Sequence, residues 1–145
     1  MTTRDDVITT AREWKGTPYK HQHSTRGAGC DCLGLIRGVY RDLYGTEPET
    51  PPNYSPSWGE AGRRELMMEA AGRHLIQIQR IEDARPGDVL IFRMRRGHIA
   101  KHCGILVSDT HMIHAYQGAK EVTESAMVPY WRNRVVGVFS YPGVE

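Results

Sequence analysis

Gly29-Cys30-Asp31-Cys32-Leu33-Gly34-Leu35 decides how this chain is read, because a helical pattern begins at its second cysteine. Leu33, Leu35, Ile36, Val39, Tyr40 and Leu43 recur at mixed three- and four-residue spacing, the period of a helix with one buried face. Cys32 then falls in the first turn, where unpaired backbone N–H groups and the positive end of the helix dipole favour a thiolate over a thiol. Cysteines so placed have pKa values lowered to roughly 3.5–7.5, against about 8.5 for a free thiol. The pattern therefore predicts a nucleophile at Cys32.

A thiolate nucleophile needs a base, and Lys101-His102-Cys103-Gly104-Ile105-Leu106-Val107 offers one at the head of a β-branched, alternating stretch. A turn at Ser108-Asp109-Thr110 leads into a second strand through Met112-Ile113-His114-Ala115-Tyr116. Side chains alternate with period two, so an odd loop puts His102 and His114 on the same face of the hairpin. With a three-residue loop, His114 sits opposite Gly104 and diagonal to His102, a separation long side chains bridge. His102 is then the base for Cys32, and His114 holds the His102 imidazole in the useful tautomer.

These segments, with Gly16-Thr17-Pro18-Tyr19, Asp31-Cys32-Leu33-Gly34-Leu35 and Pro86-Gly87-Asp88-Val89-Leu90-Ile91-Phe92, resemble the ordered motifs of the NlpC family of bacterial cell-wall cysteine peptidases. The likeness runs from about residue 5 to residue 140. It implies a papain-like α+β fold, in which the cysteine opens a helix packed on an antiparallel sheet that carries the histidines. It also implies Cys32, His102 and His114 as the catalytic triad, with Tyr19 and Asp31 shaping the substrate cleft. The implied substrate is the stem peptide of peptidoglycan, cut at the amide between γ-D-glutamate and a diamino acid. Many members carry serine after the cysteine; Leu33 resembles the variant of phage and gene-transfer-agent tail proteins, which implies tail proteins as partners.

Length and composition agree with an enzyme of this kind. A chain of 145 residues fits a single domain, residues 1–145, built on one core. With 19 basic and 17 acidic residues and no basic stripe, the composition argues against a nucleic-acid partner. Arg93-Met94-Arg95-Arg96, the densest basic patch, reads as a solvated loop between strands. No apolar run approaches the roughly 20 residues of a membrane span. The opening Met1-Thr2-Thr3-Arg4-Asp5-Asp6 is no signal peptide, so the expectation is cytoplasmic synthesis followed by virion association or release onto the cell wall.

Along the chain, Val7, Ile8, Ala11 and Trp14 mark a first amphipathic helix ended by Gly16 and Pro18. A polar loop follows to Gly29, and the Cys32 helix runs to about Tyr44, stopped by Gly45. Residues 46–59, rich in proline, read as an irregular loop, and a third helix spans about Gly59 to Gly72. Strands are expected near Leu75–Arg80, Val89–Arg93, Cys103–Val107, Met112–Tyr116 and Val135–Tyr141. Helices first and strands later make an α+β domain.

Several residues admit other roles. Cys30 and Cys103 read as small core or near-site residues, and a structural disulfide is not expected of a cytoplasmic product. Cys30, Cys32, His98, His102 and Cys103 are zinc-type ligands, but Cys-X-Cys is tighter than a zinc knuckle, and adjacent His102 and Cys103 point to opposite faces of a strand. His98, in a turn, is the rival base; His21 and His23 lie in the loop before the nucleophile. Tyr19 is either a packed aromatic or a donor to the oxyanion. Asp31 is either the helix N-cap or a cleft carboxylate for a free amine. Trp131 and Arg132 read as packing against the sheet. The predicted chemistry is amide hydrolysis through an acyl-enzyme, which needs no metal or organic cofactor. A structural tail-tip plug of little activity and a related thiol acyltransferase or amidase are the alternatives.

Overall fold

Asp31 starts the helix that the periodicity predicts. Its Oδ1 accepts from the Gly34 N–H at 2.7 Å, an N-cap of the kind worth about 1 kcal/mol. The computed structural model describes residues 1–49 and 64–145. In chain order it contains α1 (Arg4–Glu13), a small hairpin of β1 (Ser24–Thr25) and β2 (Gly29–Cys30), α2 (Cys32–Tyr44) and α3 (Leu66–His74). Then come β3 (Ile76–Ile78), β4 (Val89–Phe92), β5 (His102–Leu106), β6 (His111–Tyr116), β7 (Glu121–Ala126), α4 (Pro129–Arg132) and β8 (Val135–Ser140).

A capping box between Thr3 and Asp6 opens α1, which lays Val7 and Ala11 against α2. The two helices close on Gly38: a Cβ there would lie 2.1 Å from Trp14 Cη2, so only hydrogen fits beneath the indole. Trp14 Nε1 donates to Asp42 Oδ2 at 2.9 Å, which fixes the ring along α2. Gly45, at φ 77°, ends α2 in the left-handed conformation that favours glycine.

β3 to β8 form one antiparallel sheet in the order β3-β8-β4-β5-β6-β7. The period-two alternation sorts its side chains into two cores. Val89, Ile91, Cys103, Ile105, Ile113 and Ala115 join the cluster that packs Leu35 and Val39 of α2. Leu90, Phe92, Leu106, Met112 and Val138 face the other way, where Met127 and Trp131 cover them. The α+β, helix-on-antiparallel-sheet architecture is thus as expected.

Local differences have physical reasons. The proline-rich stretch and the expected start of the third helix lie largely outside the described residues; α3 itself begins at Leu66 and continues past Gly72 to His74. Within the expected Leu75–Arg80 strand only Ile76–Ile78 pairs, at the edge beside β8. The polar loop before Gly29 contains the β1–β2 hairpin, too short to show a periodicity. The sequence reading omitted β7, whose Glu-Val-Thr-Glu-Ser-Ala composition buries only Val122, because an edge strand needs no second apolar face. It also omitted α4, a single turn begun by Pro129. Among the described residues, no helix is long and apolar enough to cross a membrane.

Candidate active site

The first turn of α2 delivers Cys32 to the start of β5, with its Sγ 3.7 Å from the Lys101 carbonyl oxygen. The β5–β6 pairing of Ile105 with Ile113 and Leu106 with Met112 is the register that a three-residue loop predicts. It sets His114 beside Gly104, where an added Cβ would stand 3.0 Å from the His114 Cβ. In the room so left, His102 Nε2 and His114 Nδ1 share a hydrogen bond of 2.8 Å. His102 Nδ1 is the ring nitrogen left to face Cys32.

The surroundings of these groups set their ionisation. The Cys32 thiol is lowered to about 5, first by a hydrogen bond from the Cys103 thiol, then by the hydrogen bond and charge of His102; burial and the Asp31 carboxylate oppose this. Cys103 moves well above its ordinary value, through that same hydrogen bond and through burial. Cys30, two residues before the nucleophile, is pushed up to about 12 by burial and by the charges of Asp31 and Cys32. Of the three free thiols, then, one is an anion at neutral pH and two are not.

His114 is fully buried and lowered to about 3, by desolvation first and by the charge of His102 second. An aromatic cage accounts for the desolvation. Trp131 meets the His114 ring edge-on at 4.9 Å, Tyr116 stacks on it at 5.4 Å, and Phe92 and Trp131 each lie 5.5 Å from the His102 ring. The far nitrogen of His114, Nε2, lies 2.9 Å from Ser125 Oγ on β7.

Tyr19 stands half-buried at the mouth of the site, its backbone bridged to Cys30 and its N–H donating to the Lys120 carbonyl at 2.9 Å. Burial and then the Cys32 and Asp31 charges raise its phenol, so it remains a hydrogen-bond donor. Asp31 is buried; its Oδ1 accepts from the Gly34 N–H and its Oδ2 from the Gln22 N–H at 2.8 Å, with His21 Nδ1 3.9 Å from Oδ2. It thereby ties the loop before β1 to the head of α2. His98 lies in the β4–β5 loop, its carbonyl accepting from Arg93 Nε, while His23 is exposed. Cys103 faces the helix layer and His102 the opposite one, yet Cys32 meets both because it sits at the end of the strand. Among the described residues, no group of His, Cys, Asp or Glu is arranged to hold a metal ion.

Sequence reasoning did not find Ser125, the aromatic cage or the Cys32–Cys103 contact. Trp131 was expected only to pack on the sheet, and it does so over the two imidazoles. The alternation of Thr123 and Ser125 with Val122 was the one available signal for β7, and it is faint.

Comparison with known proteins gives a consistent picture. The NlpC/P60 family model matches residues 16–140. The chain is 25% identical over 122 residues to the murein DD-endopeptidase MepS/murein LD-carboxypeptidase of Escherichia coli K12, a match covering 84% of this chain and 54% of that protein. It is 24% identical over 132 residues to the gamma-DL-glutamyl hydrolase of Bacillus subtilis 168, covering 91% of this chain and 28% of the relative. The chain thus spans about half, or less, of the length of these relatives. Among solved structures, the NlpC/p60 domain of the peptidoglycan hydrolase SagA superposes with a TM-score of 0.67 at 22% identity, over 96% of this chain and 99% of that one.

Proposed function

Because the chain belongs to the NlpC/P60 family of cysteine peptidases, we propose that it hydrolyses an amide bond in peptidoglycan stem peptides, with Cys32, His102 and His114 as the catalytic groups. One observation carries this reading: a thiolate at a helix start meets a histidine whose far nitrogen is hydrogen-bonded to a buried, neutral second histidine.

The Cys32 thiolate attacks the scissile carbonyl. The Cys32 backbone N–H and the Tyr19 hydroxyl donate to the tetrahedral oxyanion. His102 gives the proton on Nδ1 to the leaving amine, and the resulting acyl-enzyme is hydrolysed by water activated at that same nitrogen. His114 keeps the other His102 nitrogen protonated throughout, which leaves Nδ1 as the working atom. Asp31 serves the substrate cleft by holding its wall, the loop from Tyr19 to Cys30, against α2.

Within this reading the bond is the one between γ-D-glutamate and a diamino acid; the name of the Bacillus relative, a gamma-DL-glutamyl hydrolase, agrees with the γ-glutamyl side alone, and that of the Escherichia relative, a DD-endopeptidase, names a different bond. Leu33 supports a narrower setting, wall penetration by a phage or gene-transfer-agent tail. Mass spectrometry of muropeptides after incubation with the wild type and with Cys32→Ala, under reducing conditions, tests the activity. The expected result is a stem peptide cut at an internal amide by the wild type alone. Turnover by Cys32→Ala would end the proposal, and absence of the chain from released particles would remove the tail setting.

A further inference from the structure

We propose that Ser125 is a positioning residue: its Oγ accepts from His114 Nε2 and so fixes the tautomers of both histidines. The inference rests on the catalytic reading above and follows from donor and acceptor accounting. His114 is neutral, so its ring carries one N–H. When His102 is protonated, both of its nitrogens donate, one toward the Cys32 sulfur and one to His114 Nδ1 at 2.8 Å. His114 Nδ1 must therefore accept, and its proton must sit on Nε2. Ser125 Oγ, 2.9 Å away, is the acceptor that makes this tautomer the favoured one.

In the β6–β7 register, His114 stands opposite Thr123 and Met112 opposite Ser125, so Ser125 lies diagonal to His114 on the same face. If the Oγ is lost, a buried N–H is left without its acceptor, and His114 gains by moving its proton to Nδ1. There it faces the Nε2–H of His102 and forces the His102 proton onto Nδ1, the nitrogen that must be free to take the proton of Cys32. The thiolate–imidazolium pair is thereby weakened.

Ser125 is half-buried on an edge strand, so substitution leaves no core cavity. Ser125→Ala is expected to lower kcat about 3- to 10-fold with KM unchanged, the range for one net hydrogen bond, and to raise the Cys32 thiolate midpoint by about half to one pH unit. Ser125→Thr keeps the oxygen and is expected to restore both. The midpoint is read by ultraviolet absorbance of the thiolate, with circular dichroism confirming the fold; it needs no substrate, and Cys30 and Cys103 titrate far above it. A role in folding alone would not move it. If the wild type has a low midpoint and Ser125→Ala matches it in both midpoint and kcat, the assignment of Ser125 is overturned while the catalytic reading stands. If the wild type has no low midpoint, the catalytic reading falls and this inference falls with it.

Discussion

Acid should weaken this fold through His114, and replacing that residue with glutamine should remove the effect. A histidine in the unfolded chain titrates near 6.5, whereas the caged His114 titrates at about 3. Between those values the unfolded chain binds a proton that the folded chain does not, so stability is full above about pH 6.5 and declines as the pH falls toward 3. At about pH 5 the linked loss is about 1.5 pH units at 1.36 kcal/mol each, or about 2 kcal/mol. Glutamine can accept from His102 through its carbonyl and donate to Ser125 through its amide, yet it does not titrate. Urea unfolding of the wild type and His114→Gln at about pH 7.5 and pH 5 gives a double difference that isolates this residue from every other titrating group. A wild type that loses about 2 kcal/mol more than the variant is the expected outcome. A double difference near zero would mean that Tyr116 and Trp131 do not keep water from His114, and the neutral-tautomer account of the site would go with it.

Two further outcomes follow from the same geometry. Iodoacetamide at about pH 6 should alkylate Cys32 and spare Cys30 and Cys103 in the folded protein, as peptide mass spectrometry reads directly; comparable labelling of Cys30 would contradict the environments described. Gly38→Ala drives a methyl group into the Trp14 indole and should cost about 1–3 kcal/mol, the usual range for overpacking, measured as a lower urea midpoint. An unchanged midpoint would show that α1 and α2 do not bear on one another there.

The parts of the fold legible in the sequence are those where burial writes a period. Leu35, Ile36 and Val39 announce α2 because one helix face is dry, and the three-residue loop of Ser108 to Thr110 fixes the β5–β6 register by its length. Asp31 offered two roles; in the fold it makes the hydrogen bonds of the N-cap. Less legible is whatever depends on an edge or on distant approach. β7 hides behind polar residues because it stands at the end of the sheet, its outer side hydrogen-bonded to the loop residues Gly16 and Thr17, and Ser125 is hidden with it. The Cys32–Cys103 contact joins residues far apart in the chain, and strand parity, which puts His102 and Cys103 on opposite faces, takes no account of a residue that meets both at the strand's end. The cage around His114 depends on Trp131, brought back over the sheet by a turn too short to leave a helical pattern.

The indole of Trp14 seated on Gly38 acts as a rotational stop for α2. A side-chain atom roughly 4 Å from a helix axis swings about 1.4 Å for a turn of 20°. Displacements of about 1 Å can cost a catalytic site two orders of magnitude. The aim of the sulfur is thus indexed six residues downstream of it, by a notch that admits one hydrogen atom. Anyone transplanting the nucleophile helix into another scaffold, or exchanging the first helix between relatives, must carry the notch and the ring together, or the blade will be mounted at the wrong angle.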